Sequence, residues 1–176
     1  MCFLIRRCVM IRERFTDDVF AKSDITHVRE TVRMIAVYHD RYAFLEIKRD
    51  DIFGCLRHLE TLGGGIEANE SHAQAIQREL FEESGWEGEI LRPLCVIEDT
   101  YNLIQRRTIS HFYAVRLIRQ SRPCVYTEEE KQLIHGLVFL SEEEMLKELS
   151  APDKQSIQKL IYQRDLFAYK CYLETC

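Results

Sequence analysis

The sequence predicts an α/β fold, with a mixed β-sheet, helices on both of its faces and an additional C-terminal helix. Three observations predict it. Segments rich in β-branched and apolar residues recur along the chain. A helical segment with both of its end signals lies between two of them. Two more helical patterns follow the last strand-like run. Taken in order, residues 1–30 are the least patterned and are expected to be peripheral. Val32–His39 is the first strong strand signal. Asp40-Arg41 offers a turn, and Tyr42–Lys48 reads as the returning strand. A mixed stretch leads to the glycines Gly63-Gly64-Gly65. Ser71–Ser84 then reads as a helix, with Ser71 as cap, Gln74 as its capping-box partner and Gly85 as the stop. Strands are expected at about 89–97 and 108–118, with a loop around Tyr101-Asn102. Polar, acidic Ser121–Lys131 reads as a loop and Gly136–Leu140 as a strand. Ser141, with Glu144, caps a short helix to Leu149, and Asp153 opens the terminal helix, residues 153–176. No repeat or linker divides the 176 residues, so a single domain over 1–176 is expected.

Composition narrows the function classes. Lys plus Arg number 24 against 29 Asp plus Glu, a net charge of −5, which gives no reason to expect a nucleic-acid partner. Apolar runs such as Met34–Tyr38 and Leu137–Leu140 are too short to span a bilayer, so no membrane partner is expected. The opening Met-Cys-Phe-Leu-Ile-Arg-Arg lacks the long apolar core of a secretory leader, and a cytoplasmic location follows as the expectation. The 7 cysteines are odd in number and irregularly spaced, without a Cys-x-x-Cys pair. They read as free thiols rather than a zinc site or disulfide framework.

The helix carries the chemistry. Glu79, Glu82 and Glu83 stand at i, i+3 and i+4 and share one face, with Arg78 at its edge. Ala73, Ile76 and Leu80 form an apolar stripe that would dock the helix on the sheet, and small Ala75 lies beneath the carboxylates. Taken alone, such a helix is a solvated charged face. Three like charges on one face repel, however, and a divalent cation would relieve them. All-oxygen ligands suit Mg²⁺ or Mn²⁺ better than Zn²⁺. Upstream glycines entering a helix let backbone groups approach an ion or a phosphate closely. Metal with phosphate points to phosphoryl chemistry.

The segment from Gly64 to Trp86, with Gly64, Glu70, Arg78-Glu79, Glu82-Glu83 and Gly85 at fixed spacing, is identified as a Nudix box, and the chain resembles the Nudix hydrolase superfamily. The resemblance spans about residues 30–150 and implies the family's α/β/α sandwich. It implies hydrolysis of a nucleoside diphosphate linked to another group, by a pyrophosphohydrolase using Mg²⁺ or Mn²⁺. By resemblance, Glu79, Glu82, Glu83 and the carbonyl of Gly64 hold the metal, and Arg78 orients a box carboxylate. Glu82 and Glu83 act catalytically, and Glu70 supports the loop or binds an outer metal. A further glutamate beyond the box acts as base, with Glu128, Glu129 and Glu130 as candidates, Glu129 foremost, and Glu98 as second choice. Gly65, Glu70, Arg49 and Tyr101 are the expected substrate contacts. Two departures are visible: Leu62 where many members have Pro, and Asn69 where many have Gly. Asn tolerates a left-handed backbone, so that turn can survive.

Tyr38, Phe44 and Phe112 join Tyr101 as candidates to stack on a base, and Arg57, Arg106 and Arg107 join Arg49 as candidates to grip phosphate. His72, His111 and His135 have no motif partner and read as surface or core histidines. The substrates implied are nucleoside triphosphates, oxidised nucleotides or ADP-ribose-like molecules, with dinucleoside polyphosphates next. The alternatives are a nucleotide-sensing module without turnover and an interaction domain. The latter would use Tyr162, Phe167, Tyr169 and Tyr172 of the terminal helix, which also suit a homodimer contact.

Overall fold

The computed structural model describes residues 11–124, 126, 128–152 and 156–174, with the side chains of residues 11, 129 and 130 outside the description. The elements are β1 (Ile11–Thr16), β2 (His27–Tyr38), β3 (Arg41–Asp51), β4 (Gly54–Glu60), α1 (His72–Ser84), β5 (Trp86–Tyr101), β6 (Arg106–Gln120), α2 (Glu128–Leu133), β7 (Ile134–Leu140), α3 (Glu142–Leu149) and α4 (Gln158–Glu174). The strands form one mixed sheet in the order β1-β5-β6-β2-β3-β4, and β7 pairs with β3. β1 with β5 and β2 with β6 are parallel pairs, while β5 with β6 and the pairs made by β3 are antiparallel.

Strand alternation sends side chains to two cores. Val32, Met34 and Ala36 of β2 pack under α1 with Ile76, Leu80 and Val115, whereas Ile35, Phe112 and Ala114 face α3 and α4. The result is the expected α/β/α layering. α1 has the expected ends: Ser71 and Gln74 form a complete capping box, and Gly85 closes the helix at φ 69°. Its apolar stripe differs by one position, because Ala75 is buried and Ala73 is exposed. Ile76 and Leu80 are fully buried, which stabilises the docked helix by roughly 1.5–3 kcal/mol per side chain.

Three regions depart from expectation. Within residues 1–30, β1 forms the sheet's edge and His27–Glu30 begin β2. The mixed stretch before the glycines contains β4, which pairs along β3 from Asp51–Gly54 to Leu45–Glu60. Part of the expected acidic loop is α2, whose first turn places acidic residues at the positive end of the helix. The expected helix opening at Asp153 lies outside the described residues, and α4 begins at Gln158.

The sheet opens where the site lies. β2 pairs with β3 only over Ala36–Tyr38, after which β4 takes over the edge of β3. The chain leaving β4 then runs back beside β2. Met34 N–H donates to the Leu62 carbonyl at 2.9 Å, Val32 N–H to Gly64 at 3.0 Å, and Ile66 N–H to Glu30 at 3.1 Å. The glycine loop is therefore pinned to the sheet before it enters α1.

Candidate active site

Backbone geometry explains the glycines. Gly63 has φ 128°, and a Cβ there would stand 2.8 Å from the Arg33 Cα. Its N–H donates to Glu83 Oε2 at 2.8 Å. At Gly64, a Cβ would stand 2.6 Å from the Glu79 carboxyl carbon, so that carboxylate rests directly on the Gly64 backbone. Asn69 takes the left-handed turn at φ 65°, which is how the loop survives without glycine at that position.

Arg78 organises the box. Its Nε and Nη2 donate to the two Glu70 oxygens at 2.8 and 2.9 Å, and Nη2 also donates to the Gly65 carbonyl at 2.8 Å. Nη1 donates to Glu79 at 2.8 Å and to Glu82 at 3.2 Å. This fork holds the Glu70 carboxyl down to about 2, with help from the Glu67 N–H. Arg78 itself is raised, with Glu70 contributing most. Arg78 thus ties the loop to the helix and fixes two box carboxylates.

Glu79 and Glu83 are both buried and line a cleft of about 250 Å³ together with Gly63 and Gly64. Burial pushes the Glu83 carboxyl well above the usual carboxylate range, and the Glu79 carboxylate pushes it the same way. The Gly63 N–H and Arg33 offset this only in part. Two buried carboxylates side by side, with a backbone carbonyl beside them, suit a hard divalent cation. The Gly64 carbonyl accepts from Val32 with one lone pair and has a second to offer. Glu82 is half exposed and does not itself line the cleft; it shares an Arg78 nitrogen with Glu79.

The facing wall is basic and apolar. Arg29, Arg33 and Arg49 line the cleft, with Leu45 and Ile47 of β3 and Leu133-Ile134 at the α2–β7 junction. Arg49 pairs with Asp51 at 3.2 Å and lies over the Phe53 ring. The Arg29 guanidinium covers Gly65, whose Cβ would stand 2.9 Å from Nη2. Arg33 bridges Glu60 at 2.6 Å and the Thr61 carbonyl at 2.8 Å. Glu60 also lines the cleft, and although burial raises its carboxyl, Arg33, His58 and Arg164 hold it well below the ordinary range.

Several expected contacts lie elsewhere. Tyr101 ends β5 rather than sitting in a loop, so alternation buries it under the Arg106 guanidinium, 5.1 Å away. Glu70 spends both oxygens on Arg78 and does not line the cleft. Gly65 sits one residue past the lining, with its carbonyl on Arg78. Phe44 and Phe112 are core, and Tyr38 packs on Trp86. Arg57 pairs with Glu46, and Arg107 pairs with Glu98, which also pairs with Arg14 away from the cleft. The side chains of Glu129 and Glu130 lie outside the described residues, and Glu128 is exposed and paired with Lys131. Sequence reasoning missed Arg29, Arg33 and Glu60. Arg29 precedes a strand read as beginning at Val32, Arg33 lies within that strand with no motif to mark it, and Glu60 lay in the unrecognised β4.

The layered α/β fold thus presents a carboxylate-bearing helix to a basic cleft, the arrangement of a hydrolase domain. A family model described as the NUDIX domain matches residues 27–160. Solved structures share the fold. A NUDIX hydrolase from Nitrosomonas europaea has a TM-score of 0.65 at 16% identity, covering 84% of this chain and 89% of that one. A UDP-X diphosphatase has 0.57 at 16% identity over 88% and 67%, and a MutT protein from Methanosarcina mazei Go1 has 0.57 at 13% identity over 81% and 98%. No curated protein matches the chain. The chain belongs to the NUDIX family and is an enzyme of the pyrophosphohydrolase type. No helix among the described residues is long and apolar enough to cross a membrane.

Proposed function

We propose that the protein hydrolyses the phosphoanhydride of a nucleoside diphosphate linked to another group, using Mg²⁺ or Mn²⁺. The observation that carries this is the buried pair Glu79 and Glu83 on the Gly64 backbone, facing Arg29, Arg33 and Arg49 across one cleft. Glu79, Glu83, Glu82 and the Gly64 carbonyl would hold the metal. When bound, the metal neutralises phosphate charge and lowers the pKa of water.

The protein's own groups supply the rest. Arg78 keeps Glu79 and Glu82 in place while Glu70 keeps Arg78 in place. Gly63 N–H fixes Glu83 Oε2, leaving Oε1 to take the proton of the attacking water. Arg29 and Arg49 grip the phosphate oxygens, and Arg33, already paired with Glu60, supports that field. Glu129 is a second candidate base. The apolar wall of Leu45, Ile47, Leu133 and Ile134 takes the nucleoside or sugar. Sugar-linked diphosphates stand with nucleoside triphosphates, oxidised nucleotides and ADP-ribose in the first rank, and one structural relative bears the name UDP-X diphosphatase.

The test is a Mg²⁺-dependent turnover screen over these compounds and dinucleoside polyphosphates, with products identified by ³¹P NMR and Glu83→Gln as control. Cleavage of one class by wild type alone is the expected result. Ligand-dependent thermal stabilisation without any product would replace the enzyme reading with a sensor.

A further inference from the structure

Glu30, His72 and His111 have no part in the cleft chemistry, yet they converge. In the register of β2 with β6, Val32 pairs with His111 and Glu30 with Ile109. Alternation sends both Glu30 and His111 to the α1 face. His72 is the first residue of α1 and arrives from above, its ring centroid 4.3 Å from that of His111. Each of the three residues offers one ligand atom, and these atoms lie within 4.8 Å of one another. His111 Nε2 stands 3.5 Å from Glu30 Oε2 but is buried without a hydrogen-bond partner among the described residues.

We propose that Glu30, His72 and His111 form a second metal site, for a borderline divalent transition metal such as Zn²⁺ or Co²⁺. The donor set decides the ion: two imidazoles and one carboxylate favour such metals over Mg²⁺, which prefers the all-oxygen set of the cleft. His72 is oriented by the Tyr113 hydroxyl, 2.7 Å from its Nδ1, and in the tautomer where Nδ1–H donates to that oxygen Nε2 carries the lone pair. Arg12, two strands away across β5, and the positive end of α1 oppose the cation. These terms moderate the affinity and leave the donor set unchanged. Glu30 is more than half exposed, which leaves room for water to complete the coordination. An ion here would join β2, β6 and the start of α1, and so brace the glycine loop that leads into the helix.

The test is Co²⁺ titration of the full chain in excess Mg²⁺, followed by visible ligand-field absorption, together with thermal unfolding in Zn²⁺. Wild type is expected to bind Co²⁺ without thiolate charge-transfer bands and to unfold at a higher temperature in Zn²⁺. His72→Gln, His111→Gln and Glu30→Gln should each weaken binding about tenfold or more and lose the thermal shift. Glu83→Gln should retain both. Glu30 is exposed, so its variant removes a ligand without disturbing the core. Binding unchanged in all three site variants, lost in Glu83→Gln, or marked by thiolate bands would overturn the proposal.

Discussion

Two charged clusters meet at the cleft, and they solve the problem of burying charge in opposite ways. Behind it, α4 inserts fully buried Arg164, which pairs with Asp165 at 2.7 Å, Glu60 at 3.3 Å and Asp99 at 3.6 Å. Asp165 accepts from both the N–H and the hydroxyl of Thr61, and Arg33 closes the network on Glu60. Nearly every charge there has an opposite neighbour. Burial disfavours the charged form of Arg164, but the surrounding acids hold it ionised. In front, Glu79 and Glu83 face each other, with Arg78 satisfying only one of them. A matched cluster is architecture. The mismatched one is where the proposed cation would sit, and Glu60, with an edge in each, joins the two.

This difference predicts opposite responses to mutation. Glu83→Gln should lower kcat by about 10²–10⁴-fold while leaving the thermal midpoint unchanged or raised, because it relieves a buried repulsion. Steady-state kinetics and a melting curve on the same sample check both halves. A drop in stability would mean that the front cluster is structural too. Arg164→Met should do the reverse. It removes the cation that Asp165, Glu60 and Asp99 share, leaving Glu60 to Arg33 and Asp165 to Thr61, and urea unfolding should show a loss of about 3–5 kcal/mol.

The two clusters were unequally legible in the sequence. The front one is local: Ser71, Gln74 and Gly85 fix the helix, and a spacing of four places Glu79 and Glu83 on one face. The capping signals, the Asn69 turn and the box carboxylates could all be read within one short window. The rear cluster joins residues about a hundred positions apart, such as Thr61 and Asp165, and no periodicity announces it. β4 was hidden because its polar residues Arg57, His58 and Glu60 serve ion pairs rather than a clean apolar face. β1 pairs in parallel with a distant strand, so no hairpin turn marks it. Tyr101 failed on strand length: β5 continues to it, and one residue more of strand reverses the face on which a side chain lies.

The rear cluster has one weak member, which sharpens the comparison through pH. Asp99 is fully buried, and burial pushes its carboxyl up to about 6 from 3.8, with Arg164 and Arg33 offsetting this only in part. The folded state therefore holds this proton more tightly than the unfolded chain. The group favours folding below the unfolded value, and that contribution disappears as pH rises through about 6. The gap amounts to about 3 kcal/mol. Stability of Asp99→Asn relative to wild type should increase by up to that amount between about pH 4 and pH 7, measured by urea unfolding across the range. Parallel profiles would show that the network satisfies Asp99 after all.

The smallest effect tests the contact between loop and helix. In Gly64→Ala the new methyl meets the Glu79 carboxylate, which Arg78 holds from the other side at 2.8 Å. The Gly64 backbone runs against β2 through Val32, so it cannot retreat without breaking that bond. The side chain must give way, and Glu79 then turns from the position it shares with Glu83. A displacement of about 1 Å at a reacting group can cost on the order of 100-fold in rate. Kinetics should therefore show kcat lowered by about ten- to 100-fold and a higher Mg²⁺ requirement, with little change in the melting midpoint. If Gly65→Ala gave the same loss, the effect would belong to loop rigidity rather than to the seat of the Glu79 carboxylate. At Gly65 the atom displaced is the end of the flexible Arg29 side chain, so the expected loss there is smaller.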